Sequence, residues 1–371
     1  MSSTSLLLGE ISASDLRCHH HVRWQCSPGL NMVIGENGSG KTSLLEAVFL
    51  MGHGRSFRQA RDPALSRWDS KGFSITGKWT RYGPLHVGVS GGNGNKVYLQ
   101  GRQLQRRTEL TETLPVLAES PQGARLVDGV PGERRRWLDQ MMLYCRPDVA
   151  RHYHAYLRCL MQRGRLLRRG GSIDEIEVWE HQMIVHGSVL MQVRAGILDD
   201  LNRILESEIP LSEAEVRISI RSTAPEEKET WFNRLVAQRK NGVARGILRI
   251  GPHCDRIMID YGGRDIRSCG SRGQQKLAAV AVRLAECAVR RQHRGLIPLL
   301  LLDDCLEALD PSRQQRLLER LASHSGQVLM TGPAGTRLPE GLEIDCYTLT
   351  VPAYGNRDEI KPVTISVEEA A

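Results

Sequence analysis

The 371-residue sequence has no paired cysteine spacing, because its nine cysteines are scattered singly from Cys18 to Cys346. An odd, unpaired set excludes a disulfide framework and suits a reducing compartment. His19, His20 and His21 lie between Cys18 and Cys26. The run invites a metal-site reading, but the Cys-x-x-Cys and His-x-x-x-His spacings of zinc sites are missing. The start, Met1 to Gly9, lacks a basic stretch, and its apolar run Leu6, Leu7, Leu8 falls short of a signal peptide core or a membrane span. These absences predict a cytoplasmic protein without a membrane partner. No internal repeat is evident.

What is present points elsewhere. The length exceeds one average domain, so one large core with an insertion, or two unequal domains, is expected. Lys and Arg number 50 against 42 Asp and Glu, a formal charge of +8. Such a balance argues for an anionic partner, nucleic acid or an acidic membrane surface, and the sign alone does not choose.

Short apolar segments at Val22 to Trp24 and Leu30 to Ile34 read as strands, the second running into a glycine-rich loop. A helix is predicted from near Lys41, with Leu44, Leu45, Val48 and Leu50 at helical spacing. Residues 72 to 104 alternate apolar and polar, as at Phe73, Ile75, Trp79, Val97 and Leu99, with turn signals at Gly91, Gly92 and Gly94, which predicts a small antiparallel sheet. After Pro147 the spacing becomes helical through Tyr153, Tyr156, Leu157, Leu160 and Leu167. Gly170 and Gly171 break that helix, and Ser172 with Glu175 forms a capping box for a second one carrying Ile176, Trp179, Met183, Leu190, Val193, Ile197 and Leu201. Two antiparallel helices would bury these stripes against each other as an arm; a helical subdomain lying flat on the core is the alternative. Strands return at Val216, Ile218 and Ile220 and at Ile257 and Ile259. A helix from Lys276 and the strand Leu299 to Leu302 follow. The expected divisions are residues 1–117, 118–240 and 241–371.

Gly35, Glu36, Asn37, Gly38, Ser39, Gly40, Lys41 and Thr42, extended by Ser43, fit the P-loop pattern and have the required strand before and helix after. Glycines let successive backbone N–H groups and the helix N-terminus converge on a β-phosphate. Lys41 would bridge the terminal phosphates of ATP, and Thr42 would ligate Mg²⁺. Leu299 to Leu302 followed by Asp303 and Asp304 supplies the second metal partner at the tip of a buried strand. Asp303 would hold Mg²⁺ through water, and Asp304 would orient or deprotonate the attacking water. Ser271, Arg272, Gly273, Gln274 and Gln275 form another serine-capped helix start, a second anion-binding device that a single P-loop does not need. Taken alone, a simple capped turn explains that run equally well.

Ser271 to Gln275 resembles an ABC signature, and Ala308, Leu309 and Asp310 resemble the D-loop that follows Walker B. Among ABC heads the chain is similar to the RecF family at Leu50 to Arg58, Ser120 to Asp139, Arg245 to Asp255 and Gly270 to Lys276, in the family's order across most of its length. The resemblance implies an α/β ABC-type ATPase head with a P-loop core sheet, an antiparallel β subdomain and an inserted helical arm. It implies that two heads sandwich two ATP, so that Ser271, Gly273 and Gln274 face the P-loop of a second copy. Slow DNA-stimulated hydrolysis, binding of gapped duplex or single/double-strand junction DNA, and recombinase loading with RecO and RecR also follow from it. Gln122 falls at the family's Q-loop, which senses Mg²⁺ and the attacking water. The chain departs from the pattern where Ala308 replaces a frequent Glu, with Glu307 displaced by one. The switch histidine of many ABC ATPases also has no clear equivalent, since Thr331 follows the strand Val328 to Met330 and His324 lies upstream.

Positive charge concentrates at Arg134, Arg135 and Arg136 and at Arg163, Arg165, Arg168 and Arg169. Such clusters pair with phosphates without reading sequence, although a solvated basic helix face looks the same. Arg55 and Arg58 flank Phe57, which suits a DNA backbone contact unless Phe57 is core. A transporter head would have no use for the interruption from Pro147 to about Arg239, and an SMC-like clamp carries far longer arms. A small-molecule kinase would leave Ser271 to Gln275 without a task.

Overall fold

The structure is a computed structural model that describes residues 4–58, 64–92, 94–121, 126–209, 214–245, 248–336, 338–339, 341–342, 344–349 and 358–362. The chain forms two compact units, Met1–Val127 with Gly270–Ala371, and Asp128–Pro210 with Ala214–Cys269.

The first unit opens with β1 (Thr4–Ser5), β2 (Leu7–Leu16), β3 (His19–Gln25) and β4 (Leu30–Gly35), then α1 (Lys41–His53). After it come β5 (Phe73–Thr80), β6 (Pro84–Gly91), β7 (Lys96–Leu99), β8 (Arg102–Gln103), α2 (Arg107–Thr113) and β9 (Val116–Glu119). Along β5 burial alternates strictly, with Phe73, Ile75 and Trp79 inward, the period of two that the sequence carries. Phe57 is buried beside Phe49, with ring centroids 5.4 Å apart, so it belongs to the core.

The second unit holds α3 (Pro131–Cys145), α4 (Ala150–Arg169), α5 (Ile173–Glu208), β10 (Val216–Arg221), α6 (Lys228–Arg245), β11 (Arg256–Tyr261), β12 (Arg264–Asp265) and α7 (Ile266–Cys269). Gly170, at φ 68°, ends α4, and Ser172 accepts from the Glu175 N–H to start α5 while Glu175 accepts from the Ser172 N–H. The helices run antiparallel, since His152 meets His186 near one end and Arg163 meets Glu180 near the other. They are not a bare pair: Trp231 of α6 is fully buried in a cluster with Tyr156, Met183 and Ile184. Because β11 pairs with β10 from Val216↔Tyr261 to Arg221↔Arg256, this unit runs on to Cys269 instead of closing near residue 240.

The chain then completes the first unit with α8 (Arg272–Arg294), β13 (Leu296–Ile297), β14 (Leu299–Leu302), α9 (Pro311–Ala322), β15 (Val328–Pro333), β16 (Asp345–Leu349) and β17 (Asp358–Pro362). A single 12-stranded sheet runs β8-β7-β6-β5-β2-β3-β17-β16-β4-β15-β14-β9. From β16 to β9 the strands are parallel, and from β3 to β8 they are antiparallel. The expected core sheet and antiparallel subdomain are therefore hydrogen-bonded into one surface. The leucines of β14 are at most 1% exposed between β9 and β15, each contributing about 1.5–3 kcal/mol of burial. No described helix is long and apolar enough to cross a membrane.

Two histidines of this unit make its stability acid-sensitive. Burial holds the imidazole of His53 down at about 3 and that of His324 at about 4. Both stay neutral in the fold while the unfolded chain takes up protons below about 6.5, so their stabilisation is complete above that value and is lost as pH falls toward the folded values. The midpoint of thermal unfolding is expected to drop between pH 7.5 and pH 5, with each histidine contributing about 1–2 kcal/mol; a midpoint that holds steady would contradict this.

Candidate functional site

The parallel strands deliver their functional side chains at one edge, the C-terminal end where α/β sheets bind ligands. β4 runs into Gly35 and the P-loop, and α1 begins at Lys41 with no side chain capping its N-terminus. Gly40 sits at φ 94°, and a Cβ there would fall 2.4 Å from His19 Nε2 and 2.6 Å from Cys18 Sγ. Only glycine fits that close approach. The three histidines have separate partners, His19 donating to the Gly40 carbonyl at 3.1 Å while His20 pairs with Asp15 and His21 with Ser14. Among the described residues no group of three or more His, Cys, Asp or Glu could hold a metal.

Lys41 is buried and its ammonium donates to the carbonyls of Gly35 at 2.7 Å and Glu36 at 2.8 Å. Ser39 Oγ is buried inside the same loop, and among the described residues it has no hydrogen-bond partner. An orphaned hydroxyl, an uncapped helix start and a folded-back ammonium fit a bound phosphate, which would satisfy all three. Asp303 accepts from three hydroxyls at 2.9 Å: Thr42 and Thr331 on Oδ1, and Ser120 on Oδ2. Thr42 and Asp303 thus present paired hard oxygen donors of the kind Mg²⁺ takes. Thr331 also accepts from the Asp304 N–H at 2.9 Å. Burial and then the neighbouring Asp303 carboxylate push the Asp304 carboxyl above the usual range, while Lys41 pulls it down.

Ser120, at the end of β9, and Thr331, on β15, were not singled out as ligands by the sequence. Ser120 opens one of the RecF-like stretches and Thr331 stands where a switch histidine is missing, but what brings both to Asp303 is position, on the strands flanking β14. His324, half-buried, lies in the turn before β15, whereas Thr331 lies within that strand. Gln122 lies outside the described residues.

Ser271 caps α8 by accepting from the Gln274 N–H at 3.3 Å, and Gln274 accepts from the Ser271 N–H at 2.8 Å. Ser271 is exposed and Gly273 is buried. A Cβ on Gly273 would lie 2.9 Å from the Ala308 carbonyl oxygen, so glycine lets the signature turn close on the D-loop. Within that loop Asp304 and Ala308 both have left-handed backbones, at φ 49° and 65°.

The basic residues separate. Arg134 is 2% exposed and donates to the carbonyls of Ile257 and Gly129 at 2.8 Å, which makes it a structural strut and removes it from the candidate DNA contacts. Arg163 is buried on Glu180 and is removed for the same reason. Arg58 shares buried Glu46 with Arg17, and Arg135 donates to the Asp255 carbonyl at 3.1 Å. Arg55, Arg136, Arg165, Arg168 and Arg169 are exposed.

A P-loop and an acid pair on parallel strands two apart, with a serine-glycine turn capping the helix that leads into the acid pair's strand, define an ABC-type nucleotide head. A family profile described as an AAA domain matches residues 10–112. A curated relative from Heliobacterium modesticaldum, "DNA replication and repair protein RecF", is 32% identical over 340 residues, 86% of this chain and 91% of the relative. One of the same description from Moorella thermoacetica is 31% identical, over 89% of this chain and 91% of the relative. The chain belongs to the RecF family of DNA replication and repair proteins. A solved structure of the recombination mediator protein RecF-ATP superposes with a TM-score of 0.78 at 23% identity, over 97% of this chain and 100% of that one. The Smc head domain of Pyrococcus furiosus gives 0.58 at 14% identity, over 97% of this chain and 96% of that one.

Proposed function

We propose that the protein is a DNA-binding ATP switch that closes head to head over two nucleotides. The observation that carries this reading is the meeting of Thr42, Ser120 and Thr331 on Asp303 beside a P-loop whose Ser39 hydroxyl has no partner among the described residues. ATP would lie along Gly35 to Ser43, with Lys41 turning from its carbonyls to the terminal phosphates. Thr42 and Asp303 would hold Mg²⁺, which supplies charge neutralisation at the phosphates. Ser271, Gly273 and Gln274 of a second copy would complete the pocket, and Asp304 would take the proton of the attacking water. DNA contacts fall to Arg55 and Arg136, aided by Arg165, Arg168 and Arg169. Gapped or junction DNA, slow DNA-stimulated turnover and recombinase loading with RecO and RecR are the roles this switch would serve, by analogy with the family.

Sizing the protein with and without ATP and a gapped duplex tests nucleotide, dimer and DNA together. The wild type is expected to dimerise only with ATP. Ser271→Arg is expected to remain monomeric while each P-loop still binds nucleotide, because the larger side chain obstructs the facing site; normal dimerisation of that variant would refute the sandwich.

A further inference from the structure

The loop from Asp304 to Asp310 has an unusual backbone, and one side chain outside it accounts for two of its carbonyls. Lys276, in the second turn of α8, donates from its ammonium to the Asp304 carbonyl at 2.8 Å and to the Glu307 carbonyl at 2.9 Å, with the Glu307 carboxylate 3.4 Å away. Those carbonyls belong to the left-handed residue Asp304 and to the residue just before left-handed Ala308. From the other side Gln314 donates to the carbonyls of Leu306 and Leu309, both at 3.2 Å. A left-handed backbone at a residue with a Cβ is unfavourable by about 1–3 kcal/mol and persists only where its surroundings hold it. Gly273, one turn before Lys276, meets the same loop at the Ala308 carbonyl.

We infer that Lys276 is a positioning residue, which fastens the Asp304–Ala308 turn to the signature helix and so links the aim of the Asp304 carboxyl to whatever engages the signature. The inference deepens the proposed ATP switch and rests on it. Asp304 begins the turn, so its side-chain direction follows from the backbone that Lys276 and Thr331 pin on either side, through its carbonyl and its N–H. In an ATP sandwich Ser271 would touch the nucleotide of the opposite head, while Asp304 serves its own. A rigid link of about one and a half helical turns between them would let each site report its occupancy to the other.

Lys276→Met keeps the stem and removes the donors; Lys276→Arg keeps charge and donors. For Lys276→Met, binding of a fluorescent ATP analogue and ATP-dependent dimerisation are expected to be unchanged. Its turnover is expected to fall roughly tenfold or more, because small misalignments of a reacting group are costly. The loss should fall on kcat with KM unchanged, since nucleotide binding does not use the Asp304 turn, and Lys276→Arg should restore part of the rate. If Lys276→Met does not fold, Lys276→Gln, which keeps a donor without charge, is measured on the same scale. Full turnover in Lys276→Met would overturn the inference, as would a loss that falls on KM or one that arginine does not recover. Absence of ATP turnover or dimerisation in the wild type would instead sink the proposed switch itself.

Discussion

Asp304→Asn is expected to trap an ATP-bound dimer whose turnover is lower by roughly a hundredfold or more, the usual scale for removing a general base. The substitution preserves size and leaves the N–H that bonds Thr331 in place. It leaves untouched the Asp303 carboxylate with its three hydroxyl donors. Nucleotide binding and closure should therefore survive while the proton of the attacking water has nowhere to go. In the wild type the Asp304 carboxyl is raised by burial and by Asp303. A base must be ionised, so activity should disappear as pH falls through a value higher than that of an exposed aspartate. Sedimentation of the variant with ATP settles the point: a population that stays monomeric contradicts both the base role and the sandwich.

Lys41→Arg should keep part of its nucleotide affinity and lose hydrolysis, again by roughly a hundredfold or more, the scale of a misplaced charge in an aligned site. Lys41 is buried and reaches two loop carbonyls at 2.7 and 2.8 Å, a geometry matched to a compact ammonium. A planar guanidinium is larger and presents its donors as a fork, so it can retain attraction for phosphates without the same placement. Undiminished turnover would mean that Lys41 does not contact the terminal phosphates.

Much of the head was legible along the chain because its strongest signals are local. The P-loop, the four leucines and the two serine-capped helix starts each occupy a few consecutive residues, and each is found at the residues that signal it. The arm's two helices were legible from their spacing, and its third was not. The stripe around Trp231 and Leu235 is short, and only packing reveals it. Arginine was the least legible residue type. Arg134 and Arg136 are two positions apart on α3, so they point to different sides of the helix; one is buried on carbonyls and the other is exposed.

The sequence by itself determined that this chain builds a phosphate-binding loop ahead of a helix, an acid pair at the end of a buried strand and a serine-glycine helix start, since each depends on backbone freedom and side-chain chemistry within one short segment. Only the tertiary structure decided which residues meet around Asp303, because Thr42, Ser120 and Thr331 arrive from three distant segments brought together by parallel strand pairing. It also decided that Lys276 holds the turn after Asp304, a relation between a helix and a loop that no spacing along the chain encodes.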